Sequence, residues 1–198
     1  MTDVTSSTSE ARPLRADAVR NRAKIIEAAK AAFAERGVEA QMEDVARRAD
    51  VGVGTLYRHF PTKDALVRAL IFDKMARLSE EARASLEEED DPWEAFERVF
   101  WRAGEQQVSD RALREVVSSQ PQEVFQQAAE ETELQARMAE LVRRAAAAGE
   151  LREGVEPQDV PLVMCGLAAV MQSERNWQRY LRFMLDGFRA RDRAPLPE

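Results

Sequence analysis

Apolar residues recur at spacings of three and four along most of the chain, which is the periodicity of an amphipathic α-helix. The first such segment begins near Asp17 and stops at Gly37, a residue that favours helix ends. Shorter segments of the same kind cover Met42 to Ala49 and Val53 to Phe60. No segment alternates between apolar and polar residues, so the pattern predicts no β-strand.

Capping residues mark the helix boundaries further along the chain. Thr62 can cap a helix that begins at Lys63 and runs toward Leu86, and Asp91-Pro92 is a typical helix start. The remaining predicted helices begin after Ser109, at Pro121, near Leu134, at Pro157 and near Glu174. The chain is therefore predicted to be all-α, with about nine helices.

Composition limits what such a helical protein can do. The chain has 198 residues, of which 44% are hydrophobic and 33% charged, enough for one or two domains with a real core. A single Cys and a single His exclude an internal disulfide and any Cys-rich or His-rich metal site. The longest uncharged stretch, Val160 to Ser173, is too short to cross a bilayer. Ser and Thr stand where a signal peptide would be apolar. We therefore expect a cytoplasmic protein with no metal, no cofactor and no membrane partner.

Charge is distributed unevenly along the chain. The span from Ala11 to Lys63 has eleven basic and seven acidic residues, a balance of +4, although the whole chain carries −7. The rest of the chain must therefore carry −11. A basic segment on an acidic body suits contact with a polyanion, but a chance cluster on a solvated helix has the same composition.

Residues 42–60 have the pattern of a helix-turn-helix, in which two short helices are separated by Asp50-Val51-Gly52. Leu56 and Phe60 are four residues apart and can face the core together. The residues left facing outward are Val53, Gly54, Thr55, Tyr57 and Arg58. The pattern alone leaves two interpretations open, a DNA-binding helix and an ordinary short helix of a bundle.

The residues from Gly54 to Leu66, Gly-Thr-Leu-Tyr-Arg-His-Phe-Pro-Thr-Lys-Asp-Ala-Leu, resemble the DNA-binding domain of the TetR family of bacterial transcriptional regulators. The likeness covers about residues 17–70. It implies a three-helix DNA-binding domain and a helical ligand-binding and dimerisation domain. The predicted division is a disordered tail at 1–14, the DNA-binding domain at 15–62, the regulatory domain at 63–190 and a C-terminal tail at 191–198.

Three positions depart from the usual family pattern. Gln41 stands where Ser or Thr commonly caps the second helix, so one hydroxyl contact to phosphate is in doubt. Gly52 replaces a frequent Ser cap at a cost of only a few tenths of a kcal/mol. Asp50 replaces the common turn Gly, and Asp tolerates a left-handed backbone better than most residues. The turn should therefore survive.

The resemblance also implies a role for each residue of the second short helix. The positions that match contacts to the phosphate backbone are Thr55, Tyr57, His59 and Lys63. The positions that match the base-facing surface are Val53, Gly54 and Arg58. Hydroxyl, imidazole and ammonium groups are suitable donors to phosphate oxygens, and an arginine can bind guanine through two hydrogen bonds.

The C-terminal half offers a ligand pocket and a dimer interface. The side chains that could line a pocket are Phe96, Phe100, Phe125, Met138 and Met164. The residues that could close a four-helix bundle with a second copy are Val163, Leu167, Val170, Trp177, Leu181, Met184 and Phe188. Either set could instead belong to the core of its own subunit, and only the need to read two half-sites and the family likeness favour the dimer.

These inferences predict a homodimeric transcriptional repressor that a small, largely apolar ligand releases from a palindromic operator on double-stranded DNA. A constitutive DNA-binding dimer without ligand response is the main alternative. A helical-bundle enzyme is disfavoured because it would need carboxylates and His at helical spacing. The one His of the chain, His59, lies in the predicted DNA-binding helix.

Overall fold

A computed structural model describes residues 11–109, 116–117, 119–173 and 176–190. Within these residues the chain forms nine α-helices and no strand, which confirms the all-α prediction. The helices are α1 (Ala11–Arg36), α2 (Met42–Arg48), α3 (Val53–His59), α4 (Lys63–Glu88), α5 (Pro92–Ser109), α6 (Gln122–Glu131), α7 (Leu134–Ala147), α8 (Asp159–Gln172) and α9 (Trp177–Phe188). No helix of this described part is long and apolar enough to cross a membrane.

The first helix begins earlier than the periodicity predicts. It starts at Ala11 and not near Asp17, so residues 11–14 of the predicted tail are helical. Pro13 falls in the first turn, where backbone N–H groups have no acceptor within the helix. Because proline has no backbone N–H, it costs no helical hydrogen bond at this position. At the other end Gly37 has a φ of 53°, and this left-handed residue ends α1 as predicted. Residues 1–10 and 191–198 of the predicted tails, and most of the helix predicted after Ser109, lie outside the described residues.

Side-chain caps confirm the predicted starts of α4 and α5. The Thr62 hydroxyl accepts a hydrogen bond from the backbone N–H of Ala65 across 3.0 Å. The Asp91 carboxylate accepts from the backbone N–H groups of Trp93 and Glu94 across 2.8 and 3.0 Å. Each cap satisfies N–H groups that a helix start leaves without a partner, and such a cap stabilises a helix by about 1 kcal/mol.

The buried apolar residues form two clusters. The head cluster joins α1, α2, α3 and the first part of α4, with Ile25, Phe33 and Leu56 at its centre. It also contains Val124 and Ala128 of α6, far along the sequence. The body cluster joins the second part of α4 to α5, α7, α8 and α9, and its largest fully buried side chains are Phe96, Phe100, Leu141, Leu167, Leu181 and Leu185. Because α4 contributes to both clusters, it connects the two halves of the fold.

Polar contacts fasten α4 to the C-terminal helices. The Ser79 hydroxyl donates a hydrogen bond to the backbone carbonyl of Thr132, which follows α6, across 2.5 Å. Arg137 of α7 donates to the carbonyl of Ser79 across 2.9 Å, and Arg144 donates to that of Leu86 across 2.8 Å. A displacement of α7 would therefore act directly on α4.

Candidate nucleic-acid interface

The turn between α2 and α3 has the backbone that the sequence predicts. Asp50 has a φ of 53°, in the left-handed region that Asp tolerates better than most residues. Leu56 and Phe60 are both buried in the head cluster, so the inward side of α3 is the predicted one. Burial of two such side chains stabilises the position of α3 by about 3–6 kcal/mol.

The other side of α3 forms an open polar and apolar surface. Val53 and Tyr57 are 42% and 40% exposed, Gly54 and Arg58 are also exposed, and Thr55 is half-buried. The Arg58 guanidinium donates a hydrogen bond to the Thr55 hydroxyl across 2.9 Å. A Cβ added at Gly54 would meet no atom within 4 Å, so no packing inside the chain requires glycine there.

The two remaining predicted DNA contacts lie at the margin of this surface. His59 is half-buried, and its ring centroid is 6.3 Å from that of Phe60. The Lys63 ammonium donates a hydrogen bond to the carbonyl of Val38 and lies 5.6 Å from the centroid of the Phe33 ring. Lys63 therefore ties the start of α4 to the segment before α2, a role that sequence reasoning missed.

Ion pairs neutralise much of the acidic charge around α2. Asp44 pairs with Arg47 and, across 2.6 Å, with Arg36. The hydrogen bond from Arg47 and the charge of Arg36 hold the pKa of Asp44 below its ordinary value. Asp44 therefore stays ionised and paired at neutral pH, and the first turn of α2 gains the acid that its dipole favours.

A small apolar pocket lies between α4, α5, α7 and α8. Its volume is about 50 Å³, and its walls are Leu78, Val99, Phe100, Ala103, Leu134, Met138, Val160 and Met164. Three of the five predicted pocket residues therefore line it, and two do not. Phe96 is fully buried beside Phe100, with ring centroids 4.9 Å apart. Phe125 packs against the head cluster because α6 faces that cluster.

Four of the seven residues predicted for the dimer face are buried within the single subunit. The residues buried inside their own subunit are Val163, Leu167, Leu181 and Phe188. They pack in the body cluster, so they offer little surface to a second copy. The partly exposed members are Val170, Trp177 and Met184.

A different set of apolar side chains on the last two helices faces solvent. Leu162 is 69% exposed and Phe183 is 60% exposed. Cys165 and Ala169, also exposed, follow Leu162 at helical spacing on α8. These exposed residues of the last two helices, Leu162, Cys165, Ala169 and Phe183, are here together named the α8–α9 face. On α8 these exposed residues lie one or two positions before the residues predicted for the dimer face. Because α8 is apolar on most sides, its hydrophobic pattern does not show which side is exposed.

Comparison with known proteins agrees with this architecture. Residues 25–70 match the family model of the bacterial regulatory proteins of the tetR family. Residues 91–190 match the C-terminal domain of SbtR-like transcriptional regulators. The two matches fall on the helix-turn-helix and on the helices of the body cluster, so both halves of the chain have known counterparts.

Individual relatives are similar over most of the chain or over about half of it. A TetR transcription regulatory protein of Mycobacterium vanbaalenii is 36% identical, with a TM-score of 0.66 over 89% of this chain and 99% of that one. A TetR regulator of Streptomyces coelicolor is 33% identical, with a TM-score of 0.60 over 85% and 98%. The HTH-type regulator TtgR of Pseudomonas putida is 35% identical over 112 residues, or 53% of this chain. The chain spans about half the length of that curated relative, 51%.

The fold and the relatives together define a transcriptional regulator with a DNA-binding domain of the helix-turn-helix class. The chain belongs to the TetR family of bacterial transcriptional regulators.

Proposed function

We propose that the chain is a homodimeric repressor, which binds a palindromic operator and leaves it when a small apolar ligand binds. The observation that carries this proposal is the exposed side of α3, anchored through Leu56 and Phe60. We assign residues 15–62 to DNA binding and residues 63–190 to regulation and dimerisation. Residues 11–14, predicted as part of the N-terminal tail, belong to α1.

The proposed interface makes two kinds of contact, to the phosphate backbone and to the bases. The residues assigned to the phosphate backbone are Thr55, Tyr57, His59 and Lys63. The residues assigned to base edges in the major groove are Val53, Gly54 and Arg58. Backbone contacts fix the register of α3, whereas base contacts carry the sequence preference. The hydrogen bond from Arg58 to Thr55 restrains the guanidinium on the exposed side of α3.

A second copy of the chain is the proposed occupant of the α8–α9 face. Its apolar side chains would be buried by the same surface of a partner, as a two-fold axis requires. The guanidinium of Arg179 lies over the Phe183 ring, 5.0 Å from the ring centroid. The α8–α9 face therefore has a basic residue at its edge. Dimerisation would present two α3 helices to half-sites about 34–36 Å apart.

The proposed ligand site is the pocket lined by Phe100, Met138 and Met164. At about 50 Å³ it is smaller than the ~300–1,000 Å³ typical of ligand sites, so binding requires the pocket to widen. Methionine repacks more easily than branched side chains, which suits a pocket that must change shape. A constitutive dimer that never binds a ligand is the alternative, and it differs only in this response.

The test is a titration of the protein against duplexes recovered by selection from randomised DNA, repeated at several salt concentrations. We expect an inverted repeat and binding that weakens as salt rises. The titration is repeated with Arg58→Ala, which removes an arginine of the proposed interface. Arg143→Ala, which removes one arginine from α7, is its matched control. No binding at any salt concentration would contradict the regulator proposal. A thermal shift and DNA release with an apolar compound would separate the repressor from the constitutive dimer.

A further inference from the structure

A carboxylate lies beside the Tyr57 hydroxyl on the exposed side of the helix-turn-helix. This hydroxyl donates a hydrogen bond to Glu43 Oε1 across 3.4 Å and so joins α3 to the first turn of α2. Both side chains are exposed, and the two residues are 14 positions apart in the sequence. At 3.4 Å this hydrogen bond is longer than the ~2.5–3.0 Å usual between two oxygens, so it is a weak one. The hydroxyl can therefore exchange this acceptor for another one.

Glu43 differs from its neighbour in the sequence, Asp44, in its ion pairing. Asp44 is paired with Arg36 and Arg47. Within the described part of the chain, no basic side chain lies within ion-pair distance of the Glu43 carboxylate. An unpaired anion thus stands next to Tyr57, one of the residues proposed to bind a DNA phosphate.

We infer that Glu43 limits DNA affinity by competing with a backbone phosphate for the Tyr57 hydroxyl. This inference rests on the proposed phosphate contact of Tyr57. In the free protein the carboxylate accepts the hydroxyl proton, and on DNA a phosphate oxygen takes that place. Glu43 then loses its hydrogen bond, and this loss opposes binding. Because phosphates carry no base information, the effect is the same for every sequence.

Two substitutions separate the hydrogen bond from the charge. Glu43→Ala removes the acceptor and the charge together. Glu43→Asp keeps the charge but withdraws the carboxylate by one methylene, out of reach of a hydroxyl that is already 3.4 Å away. It also keeps an acid in the first turn of α2, so it tests the inference even if the alanine variant fails to fold.

Affinity is measured by fluorescence anisotropy at fixed salt, on the selected duplex and on an unrelated one, with thermal melts to verify folding. We expect both variants to bind both duplexes tighter, roughly threefold per head and about tenfold for a dimer, at the low end of what one hydrogen bond per head contributes. Glu94→Ala is the matched control because Glu94 is an exposed acid in the first turn of α5. It should leave both affinities unchanged.

A Tyr57→Phe background completes the experiment. Without the hydroxyl, Glu43→Ala should no longer tighten binding. A gain that persists in this background, or a gain from alanine without one from aspartate, would show simple charge repulsion and overturn the inference. Unchanged affinity in both Glu43 variants would overturn it as well. If the wild-type chain binds no duplex at all, the proposed function fails; if it binds and Tyr57→Phe binds equally well, only this inference fails.

Discussion

Two neighbouring residues of α8 offer the sharpest test of how this chain assembles. Leu162 is 69% exposed, whereas Val163 is 4% exposed and faces the body cluster. We expect Leu162→Glu to yield a folded monomer and Val163→Glu to yield an unstable chain. The two variants add the same charge at adjacent positions, so each is the control of the other.

The magnitudes follow from burial. Burying the exposed part of Leu162 in a dimer contributes about 1–2 kcal/mol per copy. An unpaired charge in a buried interface costs about 3–5 kcal/mol more. With two copies in a symmetric dimer, Leu162→Glu should weaken association by roughly 8–14 kcal/mol, enough to abolish a micromolar or nanomolar dimer. In the monomer this position is exposed, so folding stability should change by about 0.5 kcal/mol or less.

Val163→Glu places the same cost of about 3–5 kcal/mol inside the subunit, where it lowers the melting temperature by about 6–20 °C. Light scattering at micromolar concentration measures the first effect, and circular dichroism melts measure the second. A dimeric Leu162→Glu protein, or a wild-type protein that is monomeric and folded, would refute the assignment of the α8–α9 face.

Three further outcomes are expected. Arg58→Ala should relax the preference for one base pair in each half-site, by about 1–3 kcal/mol in a selection from randomised operators; an unchanged preference would limit Arg58 to backbone contact. Lys63→Ala should weaken binding to all duplexes and reduce the slope of log affinity against log salt by about one; an unchanged slope would leave Lys63 a purely structural role. Hydrogen bonds from Arg143 and Arg144 lower the pKa of Glu140 from 4.5 to about 2. Its ionised form therefore stabilises the fold above pH 4.5, and this contribution is lost as the pH falls toward 2. Glu140→Gln should therefore reduce the loss of unfolding free energy with falling pH, as measured by denaturant titrations at several pH values. An unchanged pH dependence would contradict this role of Glu140.

Features that depend on a few consecutive residues could be predicted from the sequence. The caps at Thr62 and Asp91, the left-handed Asp50 and the inward side of α3 depend on local chemistry or on a clear 3.6-residue period. Such signals lie within one or two helical turns, so the chain around them does not change their meaning.

Orientation and long-range contacts could not be predicted in the same way. From Val160 to Met171, α8 is apolar on nearly every side, so its periodicity cannot distinguish the buried face from the exposed one. The contacts from Lys63 to Val38 and from Tyr57 to Glu43 join residues 25 and 14 positions apart. They exist only because the helices of the head cluster pack together, and no local pattern specifies them.

The size of the pocket determines how a ligand could act on DNA binding. A cavity of about 150 Å³ holds benzene, whereas this pocket measures about 50 Å³. The proposed ligand, if of that size, would therefore bind a widened state, which would give it the differential affinity that any ligand-driven shift requires. Leu78 lines the pocket, and the next residue, Ser79, is bonded to Thr132 at the end of α6. Since Val124 and Ala128 of α6 lie in the head cluster, widening that moves α4 also disturbs the packing that supports α3. A coupling of about 1–3 kcal/mol along this route would lower operator affinity roughly 5–150-fold.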